Sequence, residues 1–95
     1  MNKKDSIESV LKELDNAYKK FPFWPNDPLH ALAVVNEEIG ELQKEVLQMC
    51  YEPHKTNKEL IKLEAIQSTA MLLRFLIGLD EYSYKEGEQH KQQLD

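Results

Sequence analysis

Residues 60–77, LIKLEAIQSTAMLLRFLI, decide the fold. At about 100° per residue around a helix, Leu63, Ile66, Ala70, Leu73 and Ile77 make one broad apolar face, and Ile61, Ala65, Leu72, Phe75 and Leu76 cover most of the rest. A helix apolar nearly all round is buried on nearly all sides. Between those faces runs a narrow stripe of Leu60, Glu64, Gln67, Met71 and Arg74, which carries a carboxylate, a carboxamide and a guanidinium to places where little water should reach. Buried ions must be paired or bound to a metal. Glu64 and Arg74 are ten residues apart, roughly 15 Å along the axis, too far to neutralise each other directly. Glu64 therefore needs a partner from another helix.

Ninety-five residues make one domain. So small a domain buries a limited share of its surface, so a fully apolar helix implies that a second copy helps to cover it, and a homo-oligomer is expected. Charged residues are 31% of the chain, with only 3 glycines and 4 prolines, a balance that suits a helical bundle better than a β-sandwich or a disordered chain. The net charge of −5 argues against a surface for duplex nucleic acid, which usually carries a basic excess. Small anionic ligands remain open if a cation mediates. Cys50 is the one cysteine, which excludes an intrachain disulfide and fits a cytoplasmic protein. The opening MNKKDSIESV has no apolar run behind its lysines and does not read as a secretory signal. Lys62, Glu64 and Arg74 interrupt residues 60–77, so no membrane span is expected.

Working outward, Asp5 and Glu8 resemble a capping pair, and Ile7, Val10, Leu11, Leu14, Tyr18 and Phe21 keep helical spacing, which predicts an amphipathic helix over residues 6–20. Its Lys12, Lys19 and Lys20 read as a solvated face. Pro22 ends it. Residues 21–28, FPFWPNDP, form a stiff aromatic connector in which Phe23 and Trp24 either plug the end of the bundle or wall a flat ligand. Asp27 as N-cap and Pro28 at the first helical position open a second helix, predicted to run over 28–51 until Pro53 stops it. Its apolar seam is read as Leu32, Val35, Ile39, Leu42, Val46 and Met49, with Val34, Glu38, Glu41 and Glu45 beside it. Thr56 and Glu59 form a capping box for a third helix over 57–78. So short a turn makes the second and third helices antiparallel neighbours. A weak helix over 80–92 completes an all-α bundle of three main helices.

Glu38 and Glu41 lie one turn apart on one flank, with Glu37 further round. Like charges so placed repel, and a cation removes the objection. The antiparallel pairing sets them opposite Glu64 and Gln67. Such oxygen ligands, without sulfur or imidazole, suit Mg²⁺, with Mn²⁺ as a substitute. A di-iron bundle would want Glu-x-x-His on two helices, and zinc would want histidine or cysteine at ligand spacing. A solvated acidic face accounts for Glu37, Glu45 and Glu52 but not for Glu64.

The stretches HALAVVNEEIGE (residues 30–41) and LEAIQSTAMLLRFL (residues 63–76) resemble the MazG-like, all-α nucleoside triphosphate pyrophosphohydrolase family, whose signature is Glu-Glu-x-x-Glu followed on the next long helix by Glu-x-x-Asp. The resemblance runs from about residue 24 to 75. Glu37, Glu38 and Glu41 match the first half, whereas Gln67 stands where the second half has aspartate. The resemblance implies Mg²⁺-dependent cleavage between the α and β phosphates of a nucleoside triphosphate, giving a monophosphate and pyrophosphate, often to clear surplus nucleotides. Carried over, it implies that Glu38, Glu41 and Glu64 hold the cation, with Gln67 binding through its carbonyl or through water, and that Glu37 is an outer carboxylate or orients the attacking water. On the same resemblance, Trp24, His30 and Asn36 are candidates for a base pocket. Arg74 either contacts a phosphate or pairs with a buried carboxylate such as Glu45.

The departure at Gln67 leaves an enzyme with weakened cation binding or a catalytically weakened relative. A second reading is a noncatalytic helical module that dimerises through residues 60–77 and binds a protein or a nucleotide. A third is a structural bundle in which Glu64 meets a lysine across the oligomer interface. Neither the base recognised nor the choice between dimer and tetramer is written in the residues.

Overall fold

The computed structural model describes residues 1–84. Three helices carry the architecture: α1 (Lys3–Lys20), α2 (Pro28–Tyr51) and α3 (Lys58–Ile77). Short 3-10 turns at Pro53–Lys55 and Leu79–Glu81 follow α2 and α3. The fold is a small all-α bundle, with no strand among the described residues. No helix among them is long and apolar enough to cross a membrane.

The helix ends follow from local chemistry. Asn2 caps α1 by accepting the Asp5 amide at 2.8 Å, so α1 begins three residues before the expected start and Asp5 lies inside it. Asp27 caps α2 through the Leu29 amide at 2.9 Å, with Pro28 in the first turn. Asn57, not Thr56, caps α3 by accepting the Leu60 amide at 3.0 Å. Thr56 turns the other way and donates its hydroxyl to the Glu45 carboxylate, tying the turn to α2. Of the expected weak helix over 80–92, the described residues show only the turn Leu79–Glu81, with residues 82–84 outside any helix; residues 85–92 lie outside the described residues.

Both outer helices pack along α3 and hardly on each other. With extents of 53 × 28 × 24 Å, the thin direction spans only about two helix diameters, so few side chains are sealed. Leu14, Ala17, Ala31, Val35, Ala70 and Tyr82 form the buried apolar core. The sequence reading of α3 as covered on nearly all sides does not hold for a single chain: Leu60, Leu63, Leu72, Leu76 and Ile77 are exposed, Leu76 by 62%. Two helices cannot surround a third.

The seam of α2 also differs from the expected one. Leu32, Ile39 and Val46 are exposed, and the face turned inward is Ala31, Val35, Glu38, Leu42, Glu45 and Met49. The spacing still alternates four and three, but rotated so that two glutamates stand within it.

The far end is closed by aromatics. Trp24 Nε1 donates to the Tyr82 hydroxyl at 2.8 Å, which donates to the Phe75 carbonyl at 3.0 Å. Phe75 and Tyr82 also stack, 5.3 Å between ring centroids. Gly78 leaves room for this: a Cβ there would stand 3.2 Å from the Tyr82 hydroxyl. Trp24 therefore plugs the bundle, whereas Phe23 is 92% exposed, because the proline-bounded connector turns successive side chains to opposite sides.

Candidate functional site

Carboxylates from all three helices converge on the α2–α3 seam. Glu38 is half-buried, and its pKa is raised above the ordinary 4.5, first by burial and then by Glu64, Glu41, Glu37 and Glu13. Glu64 is also half-buried and raised, first by burial and then by Glu41 and Glu45. One Glu64 oxygen, Oε2, is sealed from solvent without a hydrogen-bond partner. Burial and mutual repulsion both disfavour the ionised forms. Among the described residues no cationic side chain pairs with them: the side-chain ion pairs there are Lys55–Glu52 and Lys62–Glu59. Glu45 is the satisfied member, holding the Thr56 hydroxyl.

Glu37 and Glu41 are exposed, and Gln67 is half-buried one turn from Glu64 on α3. Among the described residues no three His, Cys, Asp or Glu side chains are already drawn together closely enough to hold a metal ion. The donor set nonetheless fits a hard divalent cation: oxygen ligands from facing helices, one of them buried and unpartnered, with exposed neighbours that leave room for retained water.

The other sequence candidates lie elsewhere. His30 and Asn36 are exposed. Trp24 is committed to Tyr82. Arg74, 2% exposed, neither pairs with Glu45 nor faces the carboxylates. Its guanidinium lies over the rings of Tyr18 at 4.4 Å and Trp24 at 4.8 Å, and Nη2 donates to the Phe21 carbonyl at 2.7 Å. Phe21 is the C-cap of α1, so the cation sits at the negative end of that helix. Two aromatic faces and a helix terminus stabilise the Arg74 charge, while its buried Nε has no hydrogen-bond partner. A cavity of about 290 Å³ lies beside it, lined in part by Tyr18, Trp24, Asn26 and Tyr82.

Two contributors escaped the sequence reading. Glu13 belongs to α1, whose rotation about α3 has no signature in a single chain. Ser68 is 6% exposed with an unpartnered hydroxyl and looks in sequence like any small residue. No family model, curated protein or solved structure matches the chain.

Proposed function

We propose that the protein is a Mg²⁺-dependent nucleoside triphosphate pyrophosphohydrolase of the MazG-like kind, cleaving between the α and β phosphates. The observation that carries this reading is the buried, unpartnered Glu64 Oε2, on a carboxyl that burial and the nearby Glu41 and Glu45 push above its ordinary pKa, with Glu38 raised by burial and by Glu64 in turn. A stability argument alone does not assemble such a group at a helix seam, whereas a cation-binding role requires it.

Glu38, Glu41 and Glu64 hold Mg²⁺, or Mn²⁺ in its place, and Gln67 adds a carbonyl oxygen. When bound, the cation neutralises the triphosphate and polarises its phosphoryl oxygens, which lets an acidic protein take a polyanion. Glu37, exposed beside Glu38, orients the water that attacks the α phosphorus. The water oxygen bonds to the α phosphorus and its proton passes to solvent, the bond from that phosphorus to the bridging oxygen breaks, and pyrophosphate leaves with that bond's electrons, so the monophosphate remains. The proposed setting is a cytoplasmic homo-oligomer in which a second copy covers the exposed apolar residues of α3. Trp24 and Arg74 serve the fold, and no base-recognition role is assigned to them or to His30 and Asn36.

A panel of nucleoside triphosphates, assayed for pyrophosphate with and without Mg²⁺, tests the proposal. Release that requires the metal and is abolished in Glu38→Gln and Glu64→Gln supports it; no release from any nucleotide rejects it. That second result would favour a noncatalytic helical module, a reading supported by the groove of about 440 Å³ between α1 and α3, lined by Ile7, Val10, Leu11, Ala65, Ile66 and Leu73 among others.

A further inference from the structure

Beside Glu64 on α3 lies a second polar group without a partner. Ser68 follows Glu64 by one helical turn, is 94% buried, and its hydroxyl makes no hydrogen bond. A buried serine in a helix ordinarily satisfies itself by donating to the carbonyl four residues back. Thr69 does so, donating to Ala65 at 2.7 Å. Ser68 does not, and the side chain four residues before it is Glu64, whose Oε2 is the other orphaned oxygen. Side chains at this spacing are neighbours, about 5–6 Å between Cβ atoms. A hydroxyl has one hydrogen to give, and a carboxylate oxygen can only accept. The hydroxyl and the carboxylate are complementary in chemistry, though they make no hydrogen bond with each other in this structure.

We propose that Ser68 is a positioning residue for Glu64: in the cation-bound protein its hydroxyl turns to donate to the carboxylate oxygen that faces away from the cation, a bond absent from this structure, and so presents the orphaned Oε2 to the cation. The inference rests on the cation-binding reading of the seam. It gives the orphaned hydroxyl a role, since carboxylate ligands are held in orientation by hydrogen bonds to the oxygen that faces away from the metal. It also bears on Gln67. With one charge fewer than the family signature offers, the site depends more on the remaining carboxylates being correctly aimed.

The rival account makes Ser68 merely a small residue that lets α2 approach α3. The two accounts predict opposite results for Ser68→Ala. Removing a buried hydroxyl that lacks a partner is neutral or stabilising, so under the rival account the variant binds the cation as the wild type does. Under the proposal it binds Mn²⁺ about 10- to 100-fold more weakly.

The test is Mn²⁺ titration of the full chain, followed by electron paramagnetic resonance without nucleotide, for wild type, Ser68→Ala, Ser68→Thr and Glu64→Gln, with thermal melts to establish that each is folded. The expected result is weakened binding in Ser68→Ala and near wild-type binding in Ser68→Thr, which keeps the hydroxyl. Should the threonine methyl unfold the seam, Ser68→Cys, a weaker donor of similar size, is expected to bind between the alanine variant and the wild type. Wild-type affinity in Ser68→Ala, with binding lost in Glu64→Gln, overturns the role of Ser68 and leaves the cation site standing. Equal weakening in folded Ser68→Ala and Ser68→Thr also overturns it, in favour of packing. Absence of Mn²⁺ binding by the wild type overturns both.

Discussion

Trp24 and Tyr82, 58 positions apart, are joined by a 2.8 Å hydrogen bond from indole nitrogen to phenol oxygen. This bond fastens the α1–α2 connector to the segment after α3, and the Ser83 amide repeats the tie by donating to the Asn26 carbonyl at 2.8 Å. Tyr82→Phe removes the acceptor of Trp24 and the donor to Phe75 together. Leaving a part-buried donor and carbonyl unsatisfied costs about 1–3 kcal/mol, so the urea midpoint should fall. Trp24 is the one tryptophan, and its emission reports the loss directly. An unchanged midpoint would show that water replaces both bonds without penalty.

The raised pKa values of Glu38 and Glu64 set a pH dependence of definite sign. A carboxyl whose folded pKa lies above its unfolded one binds protons more tightly when folded. Its contribution to stability therefore falls as pH rises from the ordinary 4.5 through the raised values. Below that window both states are protonated and the penalty is absent; above it the penalty is complete. Glu38→Gln should therefore gain stability over the wild type at about pH 8 and lose that advantage towards pH 4, in metal-free buffer followed by circular dichroism. Mg²⁺ should stabilise the wild type more than the variant at the higher pH. A variant less stable at every pH would contradict the repulsion.

Gln67→Asp places an aspartate where the MazG-like signature that the chain resembles has one. A single charge pair at about 4 Å and an effective dielectric near 20 is worth roughly 4 kcal/mol, and a dication about twice that before desolvation. Even a fraction of this gives a tenfold or larger gain in Mg²⁺ affinity by calorimetry. Without the metal the added charge should lower the melting temperature. Destabilisation with no gain in affinity would place residue 67 away from the cation.

Leu72 and Leu76 are exposed on α3 by 50% and 62%. If a second copy covers them, Leu76→Glu buries a charge at the interface and should dissociate the assembly, read by sedimentation velocity at matched concentrations. A wild-type protein that sediments as a monomer throughout the micromolar range would remove the oligomer from the proposal.

The positions of the helices were legible because prolines and caps act locally: Asp27 with Pro28 opens α2 and Pro53 closes it. Asn2 against Asp5, and Asn57 against Thr56, were not separable, since each is a competent cap and the choice depends on where the following turn points. The seam of α2 was misread for a related reason. Leu32, Val35, Ile39 and Ala31, Val35, Glu38 both keep helical spacing, and hydropathy favours the first, while packing against α3 selects the second. The pairing of Glu38 with Glu64 was readable from the short turn between their helices. Glu13, Tyr82 and the Phe21 carbonyl that receives Arg74 come from segments whose approach to α3 leaves no periodic trace.

The two outer helices rest on α3 and barely touch each other, yet Glu13 of α1 bears on Glu38 of α2. Their like charges oppose any closer approach of the flanking rods. In the proposed holo form the same spot becomes a rivet, so that filling it tightens α1 as well as α2, and its loss is felt first as slackness in the N-terminal rod.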